Sequence, residues 1–204
     1  MNNSDSSRGV SAAVIDFMED PDSYAYHPDR VDHLQTHISH VFIAGSYVYK
    51  IKKPVNFEFL DFSTPEKRKF YCEREVELNR RLCEDIYLTV VGIARGSNDS
   101  FILTEENREN VIEYVVKMKR LDKEYFLTSF IDQGELQLRM LDRVANKLST
   151  FYNEQVPKED ILKWGAIEKV RFNTDENFSQ TESFIGGTID ENSFKAIRQY
   201  TNRY

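Results

Sequence analysis

The stretch that decides the fold reads Val41-Phe42-Ile43-Ala44-Gly45-Ser46-Tyr47-Val48-Tyr49-Lys50-Ile51. Two runs of β-forming residues flank the Gly45-Ser46 pair, the signature of a hairpin with a two-residue turn. Pro54 follows and ends the second strand, because proline has no N–H for a ladder. Further on, Ser63-Thr64-Pro65-Glu66 is a helix start. Thr64 suits the cap and Pro65 the first helical position. The spacing carries that helix to about Leu82. Upstream, residues 10–18 fit a short amphipathic helix, and the pattern turns to strands over 31–53.

Three more strands are expected at 88–94, 100–104 and 111–118. After Asp122 the chain reads as helix and loop, with helices at 134–152, 158–170, 176–184 and 192–203. In the first of these, Leu138, Leu141, Ala145, Leu148 and Tyr152 recur at helical spacing and mark a core-facing stripe. A strand-rich first half and a helical second half make the fold class α+β. The expected divisions are a tail with a short helix (1–30), a strand-rich lobe (31–121) and a helical lobe (122–204).

Composition narrows the function classes. Hydrophobic residues make up 40% and charged residues 30% of the 204, a balance that supports a real apolar core. No apolar run approaches the roughly 18 residues of a membrane span. The first eight residues lack the apolar core of a signal peptide and read as a frayed tail, so a cytoplasmic location is expected. A net charge of −7 argues against a general nucleic-acid surface, which needs clustered cations. Basic residues do cluster at Lys50, Lys52 and Lys53, and at Lys67, Arg68 and Lys69. Either group can serve phosphates, and the second also reads as a solvated face. Cys72 and Cys83, on one helix, would stand roughly 16 Å apart, beyond disulfide reach. They read as reduced core thiols.

On the helix after Pro65, Tyr71, Leu78 and Leu82 form an apolar stripe, and Glu75 falls on it. Glu73 and Glu77 lie about 200° away and face solvent. An inward carboxylate needs a cation, because an unpaired buried charge is expensive. Lys50 or Lys52, on the preceding hairpin, can supply it. A strand lysine paired to a helix glutamate is how kinases hold the phosphates of ATP. The same pattern also fits a structural ion pair, or a glutamate snorkelling at the helix edge. All four histidines precede residue 41. His33, His37 and His40 have helix-compatible metal spacing, but in a strand the odd offsets point to opposite faces. There is no Cys-x-x-Cys pair, no P-loop motif and no nucleophile elbow.

Several segments together resemble the aminoglycoside phosphotransferase-like family of kinase-fold enzymes, most of all its bacterial members sometimes fused to a P-loop ATPase domain. They are Thr36-His37-Ile38-Ser39-His40-Val41-Phe42-Ile43-Ala44-Gly45, Val48-Tyr49-Lys50-Ile51-Lys52-Lys53-Pro54-Val55 and Phe59-Leu60-Asp61-Phe62-Ser63-Thr64. The similarity continues through Cys72-Glu73-Arg74-Glu75-Val76-Glu77-Leu78-Asn79-Arg80-Arg81-Leu82, Ile86-Tyr87-Leu88 and Val115-Val116-Lys117-Met118-Lys119-Arg120-Leu121. The resemblance implies a protein-kinase-like fold, with a nucleotide-binding N-lobe and an incomplete helical C-lobe.

It further implies binding of ATP with Mg2+ and transfer of the γ-phosphoryl group to a hydroxyl of a small, hydroxylated or cationic molecule. Thr36, His37 and Ser39 would lie in the loop over the phosphates, which here has no glycine. Lys50 would be the phosphate lysine, with Glu75 its helix partner. Lys117, Met118 and Lys119 would form the hinge whose backbone reads adenine. The family's His-Gly-Asp segment and its magnesium ligands have no counterpart here, since no histidine follows His40. This chain alone is therefore expected to have little or no transferase activity. A non-catalytic nucleotide- or partner-binding module of the same fold is the alternative, and an unrelated regulatory α+β domain a third. The acidic residues Glu105, Glu106, Glu109 and 154–160 would face a cationic ligand or simply aid solubility.

Overall fold

A computed structural model of the chain describes residues 10–57, 60–97, 100–106, 110–156 and 159–203. The expected frayed tail, Phe59 of the resembling text, and the acidic Glu109 lie outside them. The chain divides into two compact units, one ending at Phe151 and the other beginning at Tyr152.

The first unit is built on a six-stranded antiparallel sheet. Its strands are β1 (Val31–Gln35), β2 (Ser39–Ala44), β3 (Tyr47–Lys52), β6 (Tyr87–Arg95), β7 (Phe101–Thr104) and β8 (Val111–Lys119), in the order β1-β2-β3-β8-β6-β7. Two short strands, β4 (Asn56–Phe57) and β5 (Leu60–Asp61), form a separate pair that sequence reading did not anticipate. The hairpin turn falls where expected. Gly45 has φ +55 and no positive φ is found at Ser46, which places glycine at the first turn position, where a side chain would be strained.

Both faces of the sheet are covered, so its central strands do not alternate between buried and exposed. On one face lies helix α1 (Ala12–Glu19), capped by Ser11, whose Oγ accepts from Val14 N at 3.3 Å. Its Val14 and Met18 pack with Tyr24, Phe42, Tyr49, Ile51, Val91, Ile93 and Val115. The Tyr24 hydroxyl donates to the Met18 carbonyl at 2.6 Å, satisfying an end-of-helix acceptor. Burial pushes that hydroxyl's pKa up.

Helix α2 (Pro65–Arg80) covers the other face against β8 and β6. The cap is as read, with Thr64 accepting from Lys67 N and Pro65 in the first turn. Its inward face is turned from expectation. Arg68, Cys72 and Val76 are buried, Tyr71 and Glu75 sit at the border, and Leu78 is 44% exposed. At 3.6 residues per turn this is about a quarter turn from the predicted stripe. The cause is Arg68, a charged residue at the centre of the buried face. Its guanidinium donates to Glu113 of β8, Nε to Oε1 at 2.9 Å and Nη2 to Oε2 at 2.7 Å, and Nη1 donates to the Phe62 carbonyl at 2.9 Å. Counting apolar residues cannot find a face organised by an ion pair. The second basic cluster is thus not a free solvated face: Lys67 pairs with Asp61, and Lys69 lies 5.4 Å from the Tyr114 ring centroid. Cys72 is a buried thiol whose pKa burial raises to about 12, whereas Cys83 is exposed, contrary to the reading of both as core thiols.

Helices α3 (Leu127–Asp132) and α4 (Leu138–Asn153) follow the sheet. The stripe predicted to be core on α4 is open, with Leu138 80%, Leu141 41% and Tyr152 68% exposed. In the second unit, α5 (Glu159–Leu162), α6 (Ile167–Thr181) and α7 (Glu191–Thr201) are helical as expected, but α6 runs through the break predicted between 170 and 176. Asp190 caps α7, accepting from Ser193 N at 2.9 Å. Phe194 of α7 is buried against Phe178 of α6, with ring centroids 5.6 Å apart.

Candidate functional site

Lys50 and Lys52 lie two residues apart on β3, so both side chains leave the same face of the sheet. That face carries α2, whose border residue Glu75 lies opposite them. Lys50 Nζ donates to Glu75 Oε1 at 2.9 Å, and Lys52 Nζ donates to Oε2 at 2.5 Å. Sequence parity leaves two candidate partners for Glu75, and the structure gives it both. The Lys52 side chain is 6% exposed and Lys50 27%, against 14% for Glu75. Burial alone pushes the Glu75 carboxyl up, and the hydrogen bonds and charges of the two ammoniums outweigh it, holding the carboxyl below its usual range. Lys52 also sits 4.9 Å from the Phe62 ring centroid, a cation–π contact.

Two ammoniums and one carboxylate leave an excess of one positive charge. Beside Lys52, its cross-strand partner Ser39 is fully buried. Ser39 Oγ has no hydrogen-bond partner among the described residues. Directly opposed residues of an antiparallel pair share a face, so this hydroxyl belongs to the lysine side of the sheet.

The β1–β2 turn, Thr36 to Ile38, is shaped by its own residues. Thr36 Oγ1 accepts from Ser39 N at 3.0 Å, and Lys53 Nζ donates to the Thr36 carbonyl at 2.8 Å. His37 is exposed in this turn. The residues expected at a hinge, 117–119, lie on β8 and divide between faces. Val116 pairs with Lys50 and Met118 with Val48, so Met118 lies on the lysine face and packs near Cys72 and Val76. Lys117 points to the other face, where it pairs with Glu105 at 3.0 Å and lies over Tyr47, 5.2 Å from its ring centroid. Lys119 is exposed. Glu105 thus has a cation of its own. A cavity of about 700 Å³ lies on that opposite face, lined in part by Tyr24, Tyr26, Tyr49, Phe101, Glu105 and Lys117.

The histidine reading needs correction. His33 and His40 do not point to opposite faces, because they stand on neighbouring antiparallel strands and not along one. His33 Nε2 lies 3.0 Å from His40 Nδ1, and His33 Nδ1 lies 2.6 Å from Glu19 Oε1. His33 also stacks on Phe42 at 4.4 Å between centroids. Burial, aided by the charges of Lys53 and His33, lowers the His40 pKa to about 4. The cross-strand register was the missing information. Among the described residues no group of three or more His, Cys, Asp or Glu side chains gathers as a metal site, and no helix is long and apolar enough to cross a membrane.

No protein-family model matches this chain, and no solved structure matches it. It is 29% identical over 174 residues to an uncharacterized protein of Mycobacterium bovis and to its counterparts in two strains of Mycobacterium tuberculosis. The match takes in 85% of this chain and 33% of each relative. The chain spans about a third of the length of the curated relatives it matches.

Proposed function

We propose that this chain is the ATP-binding portion of a small-molecule phosphotransferase of the kinase-like fold, related to the aminoglycoside phosphotransferases. The observation that carries the reading is the Lys50–Glu75 pair: a strand lysine and a helix glutamate joined at 2.9 Å on a sheet face, beside a second ammonium and an orphaned hydroxyl. Such a cluster suits an anion with several acceptor oxygens, and a polyphosphate meets that demand.

In this reading Lys50 holds the α- and β-phosphates and Glu75 orients its ammonium. Ser39, fully buried opposite Lys52, supports the strand beneath the phosphates. Met118 contributes an apolar surface near the adenine, and the backbone of 117–119 reads its edge. Thr36 and His37 border the phosphates through the turn they form. ATP is the nucleotide, and a hydroxyl of a small, hydroxylated or cationic molecule is the acceptor. Bound magnesium would neutralise phosphate charge; among the described residues no group of three or more His, Cys, Asp or Glu side chains gathers to hold it on protein ligands alone. No transfer step is therefore assigned to this chain's side chains. The second reading is a non-catalytic nucleotide- or partner-binding module of the same fold, in which the Lys50–Glu75 pair holds an anion without turnover.

A thermal-shift titration with ATP and magnesium tests the proposal, because a ligand that binds only the folded state raises the melting temperature. The expected result is a saturable upward shift that Lys50→Ala abolishes. A wild-type chain indifferent to millimolar ATP would refute it.

A further inference from the structure

We infer that Lys52 is a positioning residue that keeps Glu75 in place, leaving the Lys50 ammonium available to an anionic ligand. The identity of that ligand rests on the nucleotide reading above, but the division of labour between the two lysines rests on the geometry alone.

A single lysine–glutamate pair poses a problem of charge. When the lysine turns to a phosphate, the half-buried carboxylate loses part of its counter-charge in a place where unpaired charge is costly. Here each Glu75 oxygen has its own ammonium, Oε1 with Lys50 and Oε2 with Lys52. The two are not equivalent. The Lys52 side chain is almost sealed, at 6% exposure, and Phe62, itself buried, packs against its ammonium. Its route to solvent is closed, so its partner must be local. Lys50 keeps 27% of its side-chain surface open. A polyphosphate arriving from solvent meets Lys50 first. When Lys50 turns to it, Lys52 still neutralises Glu75, and the carboxylate does not repel the incoming anion as a bare charge would.

Two readouts test this. The first is the titration of the Glu75 carboxyl, followed by carbon-detected NMR in the ligand-free full chain. Besides the two lysines, Tyr87 and Cys72 interact electrostatically with this site and both stay neutral over the range scanned. In Lys50→Met the Glu75 pKa is expected to remain depressed. In Lys52→Met it is expected to rise by more than it does in Lys50→Met, and Lys52→Arg should restore the depression. The second readout is binding of ATP with magnesium, or of inorganic tripolyphosphate, by the same variants. Lys50→Met should weaken either ligand at least tenfold, with Lys52→Arg close to wild type. Should Lys52→Met fail to fold, Lys52→Arg against Lys50→Met carries the comparison.

A Glu75 carboxyl that titrates normally in Lys50→Met, or whose pKa is indifferent to Lys52, overturns the inference. If wild-type chain binds neither ATP nor tripolyphosphate, the nucleotide reading fails. The Glu75 titration then still decides the role of Lys52.

Discussion

Glu75 has two oxygens and gives one to each of two lysines, so its protonation releases two ammoniums at once. Because its pKa is depressed in the folded chain, its contribution to stability is complete above the unfolded carboxylate value, roughly 4.3. It is lost as pH falls through the lower folded value. Glu75→Gln should cost about 3 kcal/mol at pH 7, since Lys52 is then buried without its counter-charge. The variant's stability should also change less than wild type between about pH 5 and pH 3. Urea unfolding at several pH values measures both, and parallel curves for the two proteins would refute the assignment. The Arg68–Glu113 pair makes a different demand. Both side chains are under a tenth exposed, and Glu113 Oε1 also accepts from Tyr114 N at 3.0 Å. Removing one partner, as in Glu113→Ala, should destabilise by about 3–5 kcal/mol. Replacing both with methionine should cost much less, and unfolding of the single and double variants checks the difference.

Elements differ in how far local sequence specifies them. The β2–β3 hairpin and the start of α2 were legible because their chemistry is local: a glycine in the turn, a threonine cap, a proline in the first turn. Gly45→Ala should lower stability by about 1–2 kcal/mol, because the position has φ +55 and an alanine there meets the left-handed penalty. A melting temperature unchanged by this substitution would contradict the turn assignment. The inward face of α2 was not legible in the same way. Glu75 was found, since a carboxylate four residues from Tyr71 reads as inward on any apolar count. Arg68 was missed because its partner, Glu113, lies 45 positions away on β8, and no short-range pattern encodes that distance. The His33–His40 contact was missed for the same reason, being a product of strand register. Lys117, expected at a hinge, lies on β8 beside β3, and its side chain follows strand parity to the face opposite Lys50.

Across the whole molecule, burial is uneven. The sheet and its two flanking helices hold nearly all fully buried side chains, and beyond β8 Phe194 is the one buried apolar residue among those described. Helices α4, α6 and α7 display Leu138, Ile167, Phe172 and Tyr200, each at 60% exposure or more. Helical periodicity identified the apolar face of α4 but carries no information on what covers it. Elements with few buried contacts open at low free energy. Hydrogen exchange should therefore show amides of β2, β3, β6 and β8 protected at least a hundredfold more than those of α4 and α6. Equal protection along the chain would contradict this distribution of stability.

The central claim, that the lysine face of the sheet holds a nucleoside triphosphate through Lys50, meets its most direct test in covalent labelling. An acyl phosphate of ATP transfers its acyl group to a lysine amine lying against the phosphates, and peptide mass spectrometry identifies that lysine. The account predicts acylation at Lys50, suppressed by excess ATP and reduced when Glu75 is replaced by glutamine or Lys52 by methionine. Labelling spread over surface lysines and insensitive to ATP would contradict it.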